Sequence, residues 1–213
     1  NTGSWSSQLR FYKLNRDGTP INTTKFDQPS FNNRLTLVND GSKTYFIDRV
    51  ADNEASNADF GISDGSAKDK LEWKNALLKW TGRAGGDEAI KADAETKGYS
   101  QSYRIRPTDP ADASKDERNL GDILDGSVAS IGDKRDNRQE FLVAAANDGM
   151  VHIFRNGTSS NPYDLKLSYI PAGMEREDDK GQATTLGKVL KDIARDGYGS
   201  GTPHRYMVNG GFV

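Results

Sequence analysis

The chain has 213 residues, with 29 basic and 31 acidic side chains for a formal net charge of -2, so it offers no electrostatic footprint for nucleic acid or an anionic membrane surface. Hydrophobic residues make up only 34% beside 22 glycines, yet eight Tyr, eight Phe and three Trp remain to be buried, which predicts short strands joined by long polar loops rather than disorder. Cysteine is absent, which excludes disulfides, thiolate metal sites and a cysteine nucleophile together, and no apolar run is long enough to span a bilayer. The chain starts at Asn1 without an initiator methionine and stops on Gly210-Gly-Phe-Val213, which reads as an excised piece of a larger protein.

In chain order, Ser4 to Leu14 alternates as a strand and Asn15-Arg-Asp-Gly18 closes it as a turn. The same plan of strand and glycine-ended turn recurs at Gly149 to Gly157, a hint of an internal repeat. Arg34 to Val50 reads as a hairpin with Asn39-Asp-Gly-Ser42 at its tip, because Asp-Gly suits a left-handed turn. Ala51 to Lys68 is expected to cross the surface as a loop. Trp73, Ala76, Leu77 and Trp80 fall at helical spacing with Gly82 as terminator, and the two tryptophans are assigned to the core rather than to a ligand platform.

Gly82 to Ser100 has little apolar content and is expected to be a solvated loop. Tyr103 to Arg106, Leu120 to Leu124 and Ser127 to Ile131 read as short strands, and Asp133 to Arg138 as a solvated turn. Phe141-Leu-Val-Ala-Ala-Ala146 and Met150-Val-His-Ile-Phe154 flank Asn147-Asp-Gly149 as the clearest hairpin of the chain. Leu165 to Ile170 is a further strand, Thr185 to Arg195 a capped amphipathic helix, and Arg205 to Val208 a last strand.

The chemistry-bearing residues are sparse. The only two histidines, His152 and His204, lie in different elements, so a His-rich metal site or a Ser-His-Asp triad requires long-range convergence, and His152 is read as a half-buried packing residue. Gly197 to Gly201 follows a helix instead of preceding one, which turns the wrong helix end to any phosphate. Asn15 and Asp17 alternate like the start of a calcium loop, but such loops supply more carboxylates, so the stretch is first a turn. Asp148 is explained by turn geometry. No catalytic and no cofactor-binding residue is assigned.

Several stretches, in order, resemble the C-terminal domain of the PilC/PilY family, the tip-associated adhesins and assembly factors of type IV pili. They are Ser4-Trp-Ser-Ser-Gln-Leu-Arg-Phe-Tyr12, Ala76-Leu-Leu-Lys-Trp-Thr-Gly82, Arg118-Asn-Leu-Gly-Asp-Ile-Leu124, Ala146-Asn-Asp-Gly-Met-Val-His-Ile-Phe154, Tyr169-Ile-Pro171, and Pro203-His-Arg-Tyr206 followed by Val208-Asn-Gly210. The insertions look closest to the neisserial PilC branch.

The resemblance implies an all-β fold, a modified β-propeller of which residues 1–213 supply the first blades, with two short inserted helices. It implies a secreted protein at the outer-membrane surface and pilus tip, with pilins, a host-cell receptor and the remaining propeller segment as partners and no catalysis. The family's calcium loop normally follows the Tyr-Val-Asp/Asn-Gly segment, so calcium is expected downstream of Val213 rather than within these residues. The proline often found after Leu-Gly-Asp-Ile is absent, with Val128 near that place. Two other readings compete: a quinoprotein-like propeller dehydrogenase, which needs an acid, a base and cation ligands around a cofactor, and an envelope scaffold without a host ligand. An opened propeller would expose strand edges, so the isolated segment is expected to aggregate unless completed.

Overall fold

The computed structural model describes residues 7, 9, 11–25, 34–84, 86–106, 120–124, 128–132, 139–156, 163–208 and 210. The expected turn at 133–138 lies outside them. Alternating and apolar runs form a six-stranded mixed sheet of β3 (Leu35–Asn39), β4 (Thr44–Phe46), β5 (Val128–Ile131), β6 (Phe141–Ala146), β7 (Met150–Asn156) and β8 (Tyr163–Ile170), in the order β4-β3-β8-β7-β6-β5. Strands β5 to β8 are an antiparallel meander, whereas β3 joins β8 in parallel with Leu35 opposite Leu167. Two small ribbons lie apart, β1 (Tyr12–Leu14) with β2 (Pro20–Lys25) and β9 (Glu175–Glu177) with β10 (Ala183–Thr185).

Both expected hairpins are present. Asp40 fixes the β3–β4 turn by accepting the Ser42 and Lys43 amides on Oδ1, at 2.8 and 2.9 Å. Gly149 takes φ +84 in the β6–β7 turn, a left-handed backbone that favours glycine, and a Cβ there would press to 2.5 Å on Leu190 Cδ2. The turn at Asn15 to Gly18 joins β1 to β2, so the strand likened to β7 pairs in a different sheet from it.

The helices depart from expectation in two places. Trp73–Leu78 is a π-helical turn that runs into α1 (Lys79–Gly82), and the terminating left-handed residue is Arg83 at φ +56, not Gly82. The segment expected to be a solvated loop contains α2 (Asp87–Lys97). Only Ile90 and Ala94 of it are buried, one pair at i and i+4, while Asp87 and Glu88 complement the helix start and Gly98 its end. Helix α3 (Leu186–Ala194) forms as predicted, with Thr185 at its N-cap, and buries Leu186, Val189, Leu190 and Ile193. Each fully buried Leu or Ile there contributes about 1.5–3 kcal/mol.

Three expected strands are not strands. Tyr103 makes a single bridge to Arg195, Leu120 a single bridge to Ser7, and residues 205–208 are irregular. Their backbone groups are spent on neighbouring segments instead of a ladder, such as Arg104 N–H on Ala194 O at 2.9 Å. The surface stretch after Val50 also turns inward, with a 3-10 turn at Asn57–Phe60 whose Asn57 and Phe60 are buried.

The main core gathers Val38, Phe60, Trp73, Leu77, Ile170 and Leu190, with Phe60 and Trp73 stacked at 5.7 Å. Trp73 and Trp80 are both buried, as expected. A smaller core of Leu120, Ala144, Phe154 and Leu165 follows a register shift between Ile153 and Phe154.

One carboxylate lies fully inside. Glu72 accepts Ser100 N at 2.6 Å, Ser100 Oγ at 2.8 Å and Tyr103 Oη at 2.9 Å, tying the residues after α2 to the π turn. Burial, with Glu72 beside it, pushes the Tyr103 phenol up, so it remains a donor. Glu72→Ala is expected to cost about 2–4 kcal/mol by orphaning these donors, read as a lower urea midpoint at unchanged slope.

Candidate functional site

The β6–β7 turn is the point on which distant segments converge. Asp148 accepts Met150 N at 3.1 Å on Oδ1 within the turn. Its Oδ2 accepts Gly121 N at 3.0 Å and meets His152 Nε2 at 2.8 Å. On the other side of the imidazole, Nδ1 lies 2.8 Å from Ser168 Oγ, because His152 and Ser168 are directly paired across β7 and β8. Burial pushes the Asp148 carboxyl up, but His152, the Gly121 amide and the charge of Arg34 outweigh it and hold the group below the usual carboxylate range.

His152 is therefore fully buried and bonded on both nitrogens, not half-buried packing. Asp148 does more than shape a turn, since it also clamps Gly121. The triad elements do converge, yet both Ser168 and His152 are sealed from solvent, so the array joins strands and offers no exposed nucleophile.

The Leu120-Gly-Asp-Ile123 stretch is placed by this turn. A Cβ on Gly121 would lie 2.3 Å from Asp148 N, so only glycine permits the approach. Asn147 N donates to Asp122 O and Asn147 Nδ2 to Asp122 Oδ2, each at 3.0 Å. Asn147 Oδ1 accepts Met207 N at 2.9 Å, and His204 Nε2 lies 3.4 Å from Asp122. Ser7 Oγ accepts Ile123 N at 2.8 Å.

Leu120, Gly121, Asp122, Asn147 and Asp148 line a small cleft open to solvent together with Trp80, Arg83, Arg104, Arg106 and Tyr198. Arg106 grips Asp87 through Nε and Nη2 at 2.9 and 2.5 Å. Its guanidinium carbon also lies 4.2 Å from the Trp80 ring centroid. Arg34 is buried nearby and donates Nη2 to Gly82 O at 2.7 Å. Burial pushes its pKa down to about 10, which leaves it charged.

The sequence reading did not find Arg83, Arg104, Arg106 or Tyr198. The one local signal was Arg-x-Arg after Tyr103, which gains meaning only when Trp80 and Tyr198 arrive from elsewhere. Asn15 and Asp17 are not drawn into the cleft. They sit in the exposed β1–β2 turn, where Asp17 Oδ1 accepts Thr19 N and Oγ1 at 3.0 and 2.7 Å. Among the described residues no three His, Cys, Asp or Glu side chains cluster to hold a metal ion. No helix among them is long and apolar enough to cross a membrane.

The chain is a mostly β protein whose meander and six-stranded mixed sheet carry a few short helices and a cleft built by segment convergence. The family model described as the PilY1 beta-propeller domain matches residues 120–213, and over that stretch the chain is similar to a PilC/PilY-type domain, which points to a type IV pilus-related function. The match covers β5 to β10, α3 and the Asp148 network, and the family description names the propeller. No curated protein and no solved structure matches the chain.

Proposed function

We propose that this chain is the leading part of a type IV pilus tip-associated adhesin and assembly factor, which attaches bacteria to host cells and supports pilus biogenesis. The observation that carries the reading is the PilY1 beta-propeller match over residues 120–213. The physical design suits contact rather than turnover. A paired sheet fixes the scaffold while loops between its strands supply recognition surface. Its partners are pilins, a host-cell receptor and the remaining propeller segment, at the outer-membrane surface and pilus tip. Residues 1–213 act as its first blades, and calcium control belongs to a loop outside them.

A strain lacking the gene is expected to lose pili and host-cell attachment, and the intact protein to restore both, scored by electron microscopy and adherence counts. Restored piliation without attachment would remove adhesion and leave an envelope assembly scaffold. Quinone absorbance or dye-linked alcohol oxidation in the purified protein would turn the reading to an enzyme.

A further inference from the structure

One cation in the cleft keeps hydrogen-bonding capacity that the protein does not use. Arg104 donates Nε to Ile193 O at 2.6 Å, while among the described residues its Nη1 and Nη2 donate to no group and retain solvent contact. The guanidinium lies between two rings, 5.0 Å from the Trp80 centroid and 5.1 Å from that of Tyr198. Arg106, by contrast, is committed to Asp87. Burial pushes Arg104 down to about 10, which leaves it protonated at neutral pH.

The carboxylates Asp122 and Asp148 of the lining do not neutralise it through direct contact. The Asp148 oxygens are taken by Gly121, Met150 and His152, and those of Asp122 by Asn147 and His204. Arg83 adds a second cation to the lining.

We propose that this cleft binds a carboxylate group, seated on the two terminal nitrogens of Arg104. The planar fork matches the two oxygens of a carboxylate, and the flanking rings hold it in place before the ligand arrives. Asp122 and Asp148 in the same lining disfavour a dianion such as phosphate through like-charge repulsion and tolerate a monoanion better. A sugar ring has no free aromatic platform at Trp80, whose ring already carries the guanidiniums of Arg104 and Arg106. A small organic acid, an acidic side chain and a peptide C-terminus all present this chemistry. The inference is independent of the adhesin reading.

Trp80 supplies the probe, because its Nε1–H donates to Arg104 O at 2.8 Å. In the intact protein labelled with fluorotryptophan, the Trp80 resonance, assigned through Trp80→Phe, is expected to shift saturably with acetate at constant ionic strength. Weak affinity of about 1–50 mM is expected for so small a ligand. Acetamide is expected to give no shift, and phosphate to bind more weakly than acetate. An N-capped peptide with a free C-terminus, compared with its amide and with an amidated glutamyl peptide, identifies the source that binds tightest.

Arg104→Gln is expected to abolish the response. Arg83→Gly, at a left-handed position that suits glycine, is expected to keep the fold and weaken acetate about threefold or more. The proposal fails if no carboxylate shifts Trp80 saturably, if acetamide acts equally, or if phosphate binds more tightly than acetate. It fails equally if folded Arg104→Gln binds as before; should that variant not fold, unchanged affinity in Arg83→Gly overturns it.

Discussion

Replacing Gly121 with alanine is expected to destabilise the protein by about 3 kcal/mol or more, because the new methyl must occupy space held by backbone. The built Cβ lies 2.3 Å from Asp148 N and 2.8 Å from Asn147 C, neither of which is the far end of a flexible side chain. Relief requires the 120–122 segment to lift off the turn, breaking the Asn147–Asp122 and Gly121–Asp148 hydrogen bonds together. Gly210→Ala is the control, since a Cβ there meets nothing within 4 Å, and it is expected to stay within about 0.5 kcal/mol of the parent. Urea unfolding followed by circular dichroism checks both. Equal midpoints for the two variants would show that the Leu-Gly-Asp-Ile stretch does not seat on this turn.

The second large effect belongs to Asp148. Truncation to alanine removes the acceptor of the Gly121 and Met150 amides and the partner of a fully buried His152, and is expected to cost about 3–5 kcal/mol. The pH dependence has a defined sign. A carboxylate held below its unfolded value adds stability above that value and loses it as pH falls through the folded one. Asp148 is depressed in this way, so the parent should weaken below about pH 4, near the unfolded value of an aspartate, and Asp148→Asn should flatten that limb. Asp87 contributes to the same limb, because Arg106 outweighs its burial and also holds it low. Stability measured from neutral pH to pH 2 checks the prediction, and an acid limb equally steep in Asp148→Asn would refute the assignment.

Local pattern made the hairpins readable. Alternation and an Asp-Gly turn are properties of adjacent residues, and so are the Leu186, Val189, Leu190 and Ile193 stripe and its Thr185 cap. Helix α2 escaped because a single large apolar residue, Ile90, among alanines and charged residues gives a weak periodic signal, and its stability comes from packing Ile90 and Ala94 on a core assembled by other segments. The strand readings of Tyr103 to Arg106 and Arg205 to Val208 failed for the related reason that β propensity does not provide a neighbour to pair with.

The site was legible in part. Asn147-Asp-Gly149, Leu120-Gly-Asp-Ile123 and Pro203 to Tyr206 were each singled out, but nothing in their spacing said that they touch. His152 shows the limit most clearly. On a strand it reads as one more alternating residue, and only the β7–β8 register reveals Ser168 facing it.

The parallel pairing of β3 with β8 bears on how the chain acquires its structure in time. The meander from β5 to β8 can close through neighbouring hairpins, whereas Leu35 meets Leu167 only after the intervening chain exists. Strand β3 therefore leaves the ribosome long before its partner and must wait with an unpaired edge. That delay sets a window in which a chaperone covering the β3 edge is most useful, and it closes when β8 arrives.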